Sequence, residues 1–267
     1  MPKQKIFCDL FLSPIKDSDL LNLILAAKYL GFRKVGLSVE QLIFRGEDIS
    51  NKYSNNSHQQ EFSKRIKKFS SSFHYILIKM RDFLDHFEKV ISPTRAYLRI
   101  TLLPNEFKTV RKQLKKISEE NLAIISLKVE NEKELRYFLS NQTINLFSIS
   151  IVDVPKVLSM SSYHLIKQFR KPIELTLNDF TYLNFKDKIR LISKIRGINR
   201  ILNKKDLILI ISSGASCIED MRSPRIIRSF LRFLGFKEDT ILGGISKNPD
   251  RFTEFPHDFF FYKSESE

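Results

Sequence analysis

Leu207–Leu234 reads LILIISSGASCIEDMRSPRIIRSFLRFL. The opening run LILII is apolar without alternation, the pattern of a short strand covered on both faces. It ends in Ser212-Ser213-Gly214-Ala215, a turn of small residues, and a connector leads to Ser223 and Pro224. Serine at the N-cap and proline at the first helical position open a helix. Ile227, Phe230, Leu231 and Leu234 then recur at helical spacing as a core stripe, while Arg225, Arg228 and Arg232 share another face at i, i+3 and i+7. The stretch is one strand–turn–helix unit.

The unit repeats upstream. Apolar runs predict strands at Ile6–Leu12, Lys34–Val39, Ala96–Leu103, Leu122–Val129, Asn145–Val152, Pro172–Leu177 and Asp206–Ser212. Amphipathic segments near 18–30, 105–119, 132–140, 160–170, 186–201 and 223–234 predict the helices between them. Strands of four to eight residues alternating with helices of about ten to fifteen indicate βα units and a parallel sheet. Seven units in 267 residues predict an α/β fold, a TIM-like (β/α) barrel, complete or irregular. A doubly wound open sheet is the alternative.

One barrel domain is expected over 1–247, with an irregular helical and loop region at 41–93 and an aromatic-rich tail at 248–267. Within the irregular region, Tyr75–Val90 reads as a helix, although Tyr75–Met80 also suits a strand. Phe252, Phe255, Phe259, Phe260, Phe261 and Tyr262 would be costly exposed, so packing on the barrel or on a partner is expected.

The net charge is +15 and the isoelectric point about 9.7. Four segments, 61–81, 95–117, 186–205 and 222–237, together carry +23 and leave −8 for the rest of the chain. Charge segregated in this way suits a polyanionic partner. No stretch approaches about 18 consecutive apolar residues, so no membrane span and no membrane partner are expected, and the N-terminal apolar run is too short for a secretory signal. The two cysteines, Cys8 and Cys217, lack zinc-site spacing and are expected reduced. A soluble, cytoplasmic protein is the reading.

Three helices carry the candidate nucleic-acid contacts. Arg222 precedes Arg225, Arg228 and Arg232 at the mouth of the 223–234 helix, and no acidic residue lies between Arg222 and Lys237. Arginine's planar fork suits phosphate, and a helix N-terminus adds N–H donors. Helix 186–201 directs Ile189, Ile192, Ile195 and Ile198 to the core and exposes Arg190 and Lys194. Helix 105–119 surrounds a stripe of Phe107, Val110, Leu114 and Ile117 with Lys108, Arg111, Lys112 and Lys115. Three such helices on one barrel are expected to form a broad positive wall that reads backbone phosphates and shape. Ser212, Ser213 and Gly214 form either a structural turn or an anion-binding nest.

Catalytic constellations are weak. The histidines His58, His74, His86, His164 and His257 include no ligand pair. Ser212 and Ser213 lack a nucleophile-elbow sequence, and there is no Walker A or dinucleotide fingerprint. A phosphate-binding or metal-dependent phosphoesterase barrel remains the rival class, with Asp9, Asp153 and Glu174 as its ligands or acid–base groups. No catalytic residue and no protein-held metal are expected.

The run ISSGA, the segment RSPRII, the helix ending in LGF (Leu234–Phe236) and ISKNPDRF (Ile245–Phe252) resemble RNase P protein component 3, a subunit family shared by archaea and eukaryotes. PIELTLNDF (Pro172–Phe180), Asn145–Pro155 and the opening IFCDLFL with Asp9 are similar to strands of that family, whereas 41–93 does not align. The resemblance implies a barrel without enzymatic activity of its own, a protein subunit of ribonuclease P. Such a subunit supports a catalytic RNA in removing 5′ leaders from precursor tRNA, which it meets indirectly. It further implies partnership with other protein subunits, component 2 above all, no cofactor on the protein, and magnesium on the RNA.

Overall fold

The apolar runs form seven parallel strands in a computed structural model that describes residues 6–13, 17–38, 72–86 and 88–254. They are β1 (Cys8–Leu12), β2 (Lys34–Ser38), β3 (Arg95–Leu102), β4 (Ile124–Lys128), β5 (Leu146–Ser150), β6 (Ile173–Thr176) and β7 (Leu209–Ser212). Each pairs with the next in sequence order. β7 meets β1 just past the strand ends, where Leu12 bridges Ala215. There the Gly214 N–H donates to the Phe11 carbonyl (3.1 Å) and the Ser13 N–H to the Ala215 carbonyl (2.8 Å). The result is a nearly closed, irregular (β/α) barrel of seven strands.

The helices are α1 (Asp17–Tyr29), α2 (Ser72–His86), α3 (Glu88–Ile91), α4 (Pro104–Glu119), α5 (Glu132–Phe138), α6 (Val154–Val157), α7 (Met160–Phe169), α8 (Phe185–Leu202), α9 (Pro224–Phe233), α10 (Glu238–Leu242) and α11 (Asn248–Glu254). Tyr75–Met80 is helical, not a strand. Side chains facing outward from the strands meet the apolar stripes of these helices in one continuous core, which is why the strands read as unbroken apolar runs. The part of 41–93 before residue 72, the basic segment as far as residue 71, and residues 255–267 lie outside the described residues.

Inside the barrel, side-chain character changes along the axis. Near the N-terminal ends of the strands, Cys8, Leu10, Ile124, Leu146 and Ile210 pack around Phe252 of α11. Helix α11 is therefore the floor of the barrel rather than the start of a tail. Its Asn248 amide donates to the Leu209 carbonyl (2.7 Å) on the open edge of β7. Lys34 reaches it from β2, bonding the Asp250 carbonyl (3.1 Å) and Thr253 Oγ1 (3.0 Å) and pairing with the Asp250 carboxylate (2.7 Å).

Further along the strands the interior becomes polar and centres on Arg99. Its guanidinium grips Glu174 with two hydrogen bonds of 2.7 and 2.6 Å. The remaining donors reach Thr101 Oγ1, Ser126 Oγ and the Leu10 carbonyl, each at 2.8 Å. Ser212 donates to Glu174 (2.7 Å), and Arg99 also lies 4.2 Å from the centre of the Phe11 ring. Both charged side chains are fully buried, so every donor needs such a partner. The Leu10 carbonyl comes within reach because β1 shifts register between Asp9 and Leu12. Gly36 makes room for it: a Cβ there would stand 2.3 Å from the Leu10 oxygen.

Candidate nucleic-acid interface

Helix α9 begins as the sequence predicts, with Ser223 accepting from the Ile226 N–H and Pro224 in the first turn. Ile227, Leu231 and Leu234 are buried and Phe230 is half-buried. The arginine row lies on the flank turned toward α10 and is not left unpaired. Glu238, one residue past the window free of acids, pairs with Arg228 and receives Arg232 Nε at 2.7 Å. Burial opposes ionisation of Glu238, but bonds from Arg232 and Arg228 outweigh it and hold the carboxyl below its usual range. Arg222 turns back on the connector, donating to the Glu219 and Met221 carbonyls. Arg225 is exposed and makes no ion pair among the described residues.

On α8, Arg190 and Lys194 are exposed, with Arg190 3.7 Å from Asp187. The core stripe differs from the predicted one. Leu191 and Ile195 are buried, Ile192 and Ile198 are half-buried, and Ile189 is 52% exposed. At about 100° per residue, Ile189 falls nearly opposite Leu191, Ile195 and Leu202, so it cannot share their face.

On α4 the predicted stripe of Phe107, Val110, Leu114 and Ile117 is buried. Lys108, Arg111, Lys112 and Lys115 are exposed. Lys108 sits 5.3 Å from the centre of the Tyr137 ring, and Lys115 lies 3.8 Å from Glu119.

The three basic helices do not form one wall. Helix α4 follows β3 and α8 follows β6, three strands further round a seven-stranded barrel. α8 and α9 are neighbours; α4 is close to the opposite side. The basic segment 95–117 also contains a cation that never reaches the surface, since Arg99 lies in the barrel interior. Lys171 is likewise buried, donating to the Asn141 and Ile144 carbonyls (2.9 and 2.7 Å), and burial pushes its amine down to about 8.

The turn after β7 does hold an anion, and it is this chain's own Asp9. The Ser213 N–H donates to Asp9 Oδ1 (3.0 Å), as does the Phe11 N–H (3.3 Å). The Gly214 N–H goes to Phe11 and the Ala215 N–H to Ser213 Oγ (3.1 Å). Ser212 serves Glu174, and Gly214 adopts φ +71°, a conformation open to glycine. With its three N–H groups engaged inside the protein, the turn is structural. Burial pushes the Asp9 carboxyl up to about 6 against the pull of the Ser213 and Phe11 donors.

The carboxylates of the rival enzyme are occupied differently. Glu174 is locked to Arg99, and Asp153 pairs with Lys156 at 2.7 Å. Among the described residues, no three of His, Cys, Asp and Glu gather as a metal-ligand group. Both cysteines are free thiols, and burial pushes Cys8 well above its ordinary value. No described helix is long and apolar enough to cross a membrane.

Sequence reasoning missed Arg99. Its signal was present: an arginine inside the strand RAYLRITL, matched by the lone glutamate inside β6. A charge enclosed by apolar runs in a two-sided strand requires an internal partner.

These features define a TIM-like barrel with a sealed, hydrogen-bonded interior and its free charge on outer helices. Residues 6–255 match the family described as RNase P subunit p30. The chain belongs to that family and is a protein subunit of ribonuclease P. No curated protein matches it by sequence. Among solved structures, it is similar to a chain in the cryo-EM structure of archaeal ribonuclease P with mature tRNA. That match has 14% identity and a TM-score of 0.59, covering 96% of this chain and 94% of the other. It is also similar to a probable 2-pyrone-4,6-dicarboxylic acid hydrolase from Acinetobacter baumannii with citric acid bound (13% identity, TM-score 0.43, 93% and 99% covered). A third neighbour is dihydroorotase from Campylobacter jejuni (10% identity, TM-score 0.45, 94% and 83% covered).

Proposed function

We propose that this subunit acts without catalysis of its own, neutralising phosphates of the ribonuclease P RNA along the outer flanks of α8 and α9. It thereby lowers the magnesium needed to hold the RNA in its active fold during removal of 5′ leaders from precursor tRNA. The observation that carries the reading is the exposure of Arg225, Arg190 and Lys194 on adjacent helices, beside a barrel whose Glu174 and Asp9 carboxylates are held by Arg99 and by the Ser213 N–H. Arginine forks on helix flanks meet phosphate without reading bases. Arg222, Arg228 and Arg232 form a second tier, since each has a protein acceptor to give up first. Lys108, Arg111, Lys112 and Lys115 on α4 serve a separate RNA segment or none.

Magnesium belongs to the RNA in this reading, and the protein holds no cofactor. The other protein subunits are its neighbours, component 2 first among them, and precursor tRNA is met only through the assembly. The assembly works in the cytoplasm.

The test is precursor-tRNA cleavage by the cognate ribonuclease P RNA at limiting magnesium, with the other protein subunits present and this one added or omitted. Loss of cleavage on omission, recovered by added magnesium, is the expected result. Equal cleavage with and without the chain would overturn the reading.

A further inference from the structure

The flank of α9 that faces α8 carries no arginine of its own and is only partly covered, with Phe230 packed on Phe180 and the Arg196 guanidinium 5.2 Å from the Phe233 ring centre. Ile226, Phe230 and Phe233 lie along it, opposite the arginine row, and Ile226 and Phe233 are 53% and 56% exposed. From α8, Phe185 and Ile189 share the helix face of Arg196 and Asn199. Those two fix the seam by donating to the Phe233 and Leu234 carbonyls (2.9 and 2.7 Å). Phe185 is 80% exposed and Ile189 52%. Single exposed apolar side chains are ordinary, but a contiguous set along one seam marks an interaction site.

The seam leads into a pocket of about 180 Å³ at the C-terminal ends of β6 and β7. Its walls include Leu177, Ile227 and the rings of Phe180 and Phe230, which stand 4.8 Å apart. Asn178 also lines it, and its Oδ1 is buried without a hydrogen-bond partner. The amide cannot gain by flipping. Its nitrogen faces Asp220 Oδ2 (3.4 Å), and Asp220 is held by Tyr182 (2.8 Å) and Ser216 (3.1 Å). Asn178 Oδ1 can accept a hydrogen bond from a group that enters the pocket.

The chemistry of the occupant follows from shape and charge. The pocket is smaller than the roughly 300–1,000 Å³ that encloses a whole small molecule, and it suits one large apolar side chain. Isoleucine has no π-face on which a nucleobase could stack, so Ile189 and Ile226 favour protein over RNA. The charges at the seam are basic: Arg222 at the pocket, Lys188 5.7 Å from the Phe180 ring centre, and Arg196 at the far end. The nearby carboxylates are engaged, Asp220 as described and Asp187 beside Arg190.

We propose that the α8–α9 seam docks an amphipathic helix of another protein subunit, apolar where it enters the seam and acidic along its flanks. It places one large side chain in the pocket and gives an N–H or O–H to Asn178 Oδ1. Helix-in-groove recognition uses this geometry. The arginine flank of α9 is left to RNA, so one helix serves both partners from its two sides. The identity of the assembly rests on the ribonuclease P reading.

The test uses the full chain with each purified protein subunit of the cognate ribonuclease P, followed by sedimentation. One subunit is expected to bind, and the charge-neutral variant Phe185→Ser/Ile189→Ser to weaken that complex by about 30-fold or more. Both residues are exposed, so an unchanged melting temperature certifies the fold, and affinity for free ribonuclease P RNA at 150 mM salt (about physiological) should hold. A second variant, Asn178→Leu, should weaken the same complex. Unchanged protein association in both variants would overturn the proposal, as would a loss confined to RNA binding, which would place RNA in the seam. Failure of the unaltered chain to stimulate cleavage would defeat the ribonuclease P reading instead.

Discussion

Arg99 on β3 and Glu174 on β6 meet in a two-pronged ion pair at 2.7 and 2.6 Å, fully buried at the centre of the barrel. Removing one member strands the other charge in the interior, which costs about 3–5 kcal/mol. Arg99→Met alone and Glu174→Leu alone should each lower stability by that much, read from urea midpoints at constant m. The double variant should recover most of the loss, because neither charge is then left alone. Equal losses in all three proteins would show that Leu10, Thr101, Ser126 and Ser212 depend on the pair for their own placement.

Gly36 is fixed by the same centre. A methyl group at this position meets backbone, the Leu10 carbonyl at 2.3 Å, and backbone within a sheet cannot step aside. That carbonyl is also an acceptor for Arg99. Gly36→Ala should destabilise by at least about 1–3 kcal/mol, the usual range for overpacking. A melting temperature within a degree of the unaltered protein would show that β1 can move off β2.

The seven strands were legible because strands covered on both sides leave apolar runs that neighbouring helices cannot imitate. The pairing of Arg99 with Glu174 was not, since it depends on closure of the barrel across 75 residues of sequence. Charge counting therefore assigned Arg99 to the RNA side. Ile189 was misplaced because a run of isoleucines three apart drifts around a helix of 3.6 residues per turn. Glu238 was overlooked because pairing was sought within α9, while the turn at Leu234–Lys237 brings the next helix back against it. The aromatic residues near the C-terminus announced packing, but nothing in their spacing showed Phe252 entering the barrel.

Phe252 supplies a direct check on that floor. It is fully buried among Cys8, Leu10, Ile124, Leu146 and Ile210. Phe252→Ala should cost about 3–5 kcal/mol in chemical denaturation. A cost below about 1 kcal/mol, the size of a surface change, would place α11 outside the folded unit.

Asp9 gives the protein a measurable pH dependence. Its folded value of about 6 lies above the ordinary 3.8 because burial disfavours the charged form. The folded state thus holds more protons than the unfolded state between about pH 4 and 6, and stability falls as pH rises through that window. Above about pH 6 the full penalty applies, on the order of 2–3 kcal/mol; below about pH 4 it is absent. Asp9→Asn keeps an acceptor for Ser213 and Phe11 and removes the charge. Its stability should change less steeply from pH 4 to 6 than that of the unaltered protein. Parallel curves would show that Asp9 titrates at the same pH folded and unfolded.

Arg225 and Glu238 separate a direct role of α9 in RNA binding from an incidental one. Removing one cation that neutralises a phosphate lessens the dependence of affinity on salt by about one in log–log slope. Arg225→Ala should show that reduction, because Arg225 is exposed and makes no ion pair among the described residues. Arg228→Ala and Arg232→Ala should do less, since both cations already pair with Glu238. Glu238→Gln should act in the opposite direction, releasing two guanidinium groups beside Arg225 and steepening the slope by up to about two. Binding of the cognate RNA measured between 50 and 300 mM salt (about a twofold range in screening length) reads all four variants. A common slope for Arg225→Ala, Glu238→Gln and the unaltered protein would remove this flank from the RNA interface, leaving Arg190, Lys194 and the cations of α4 to carry it.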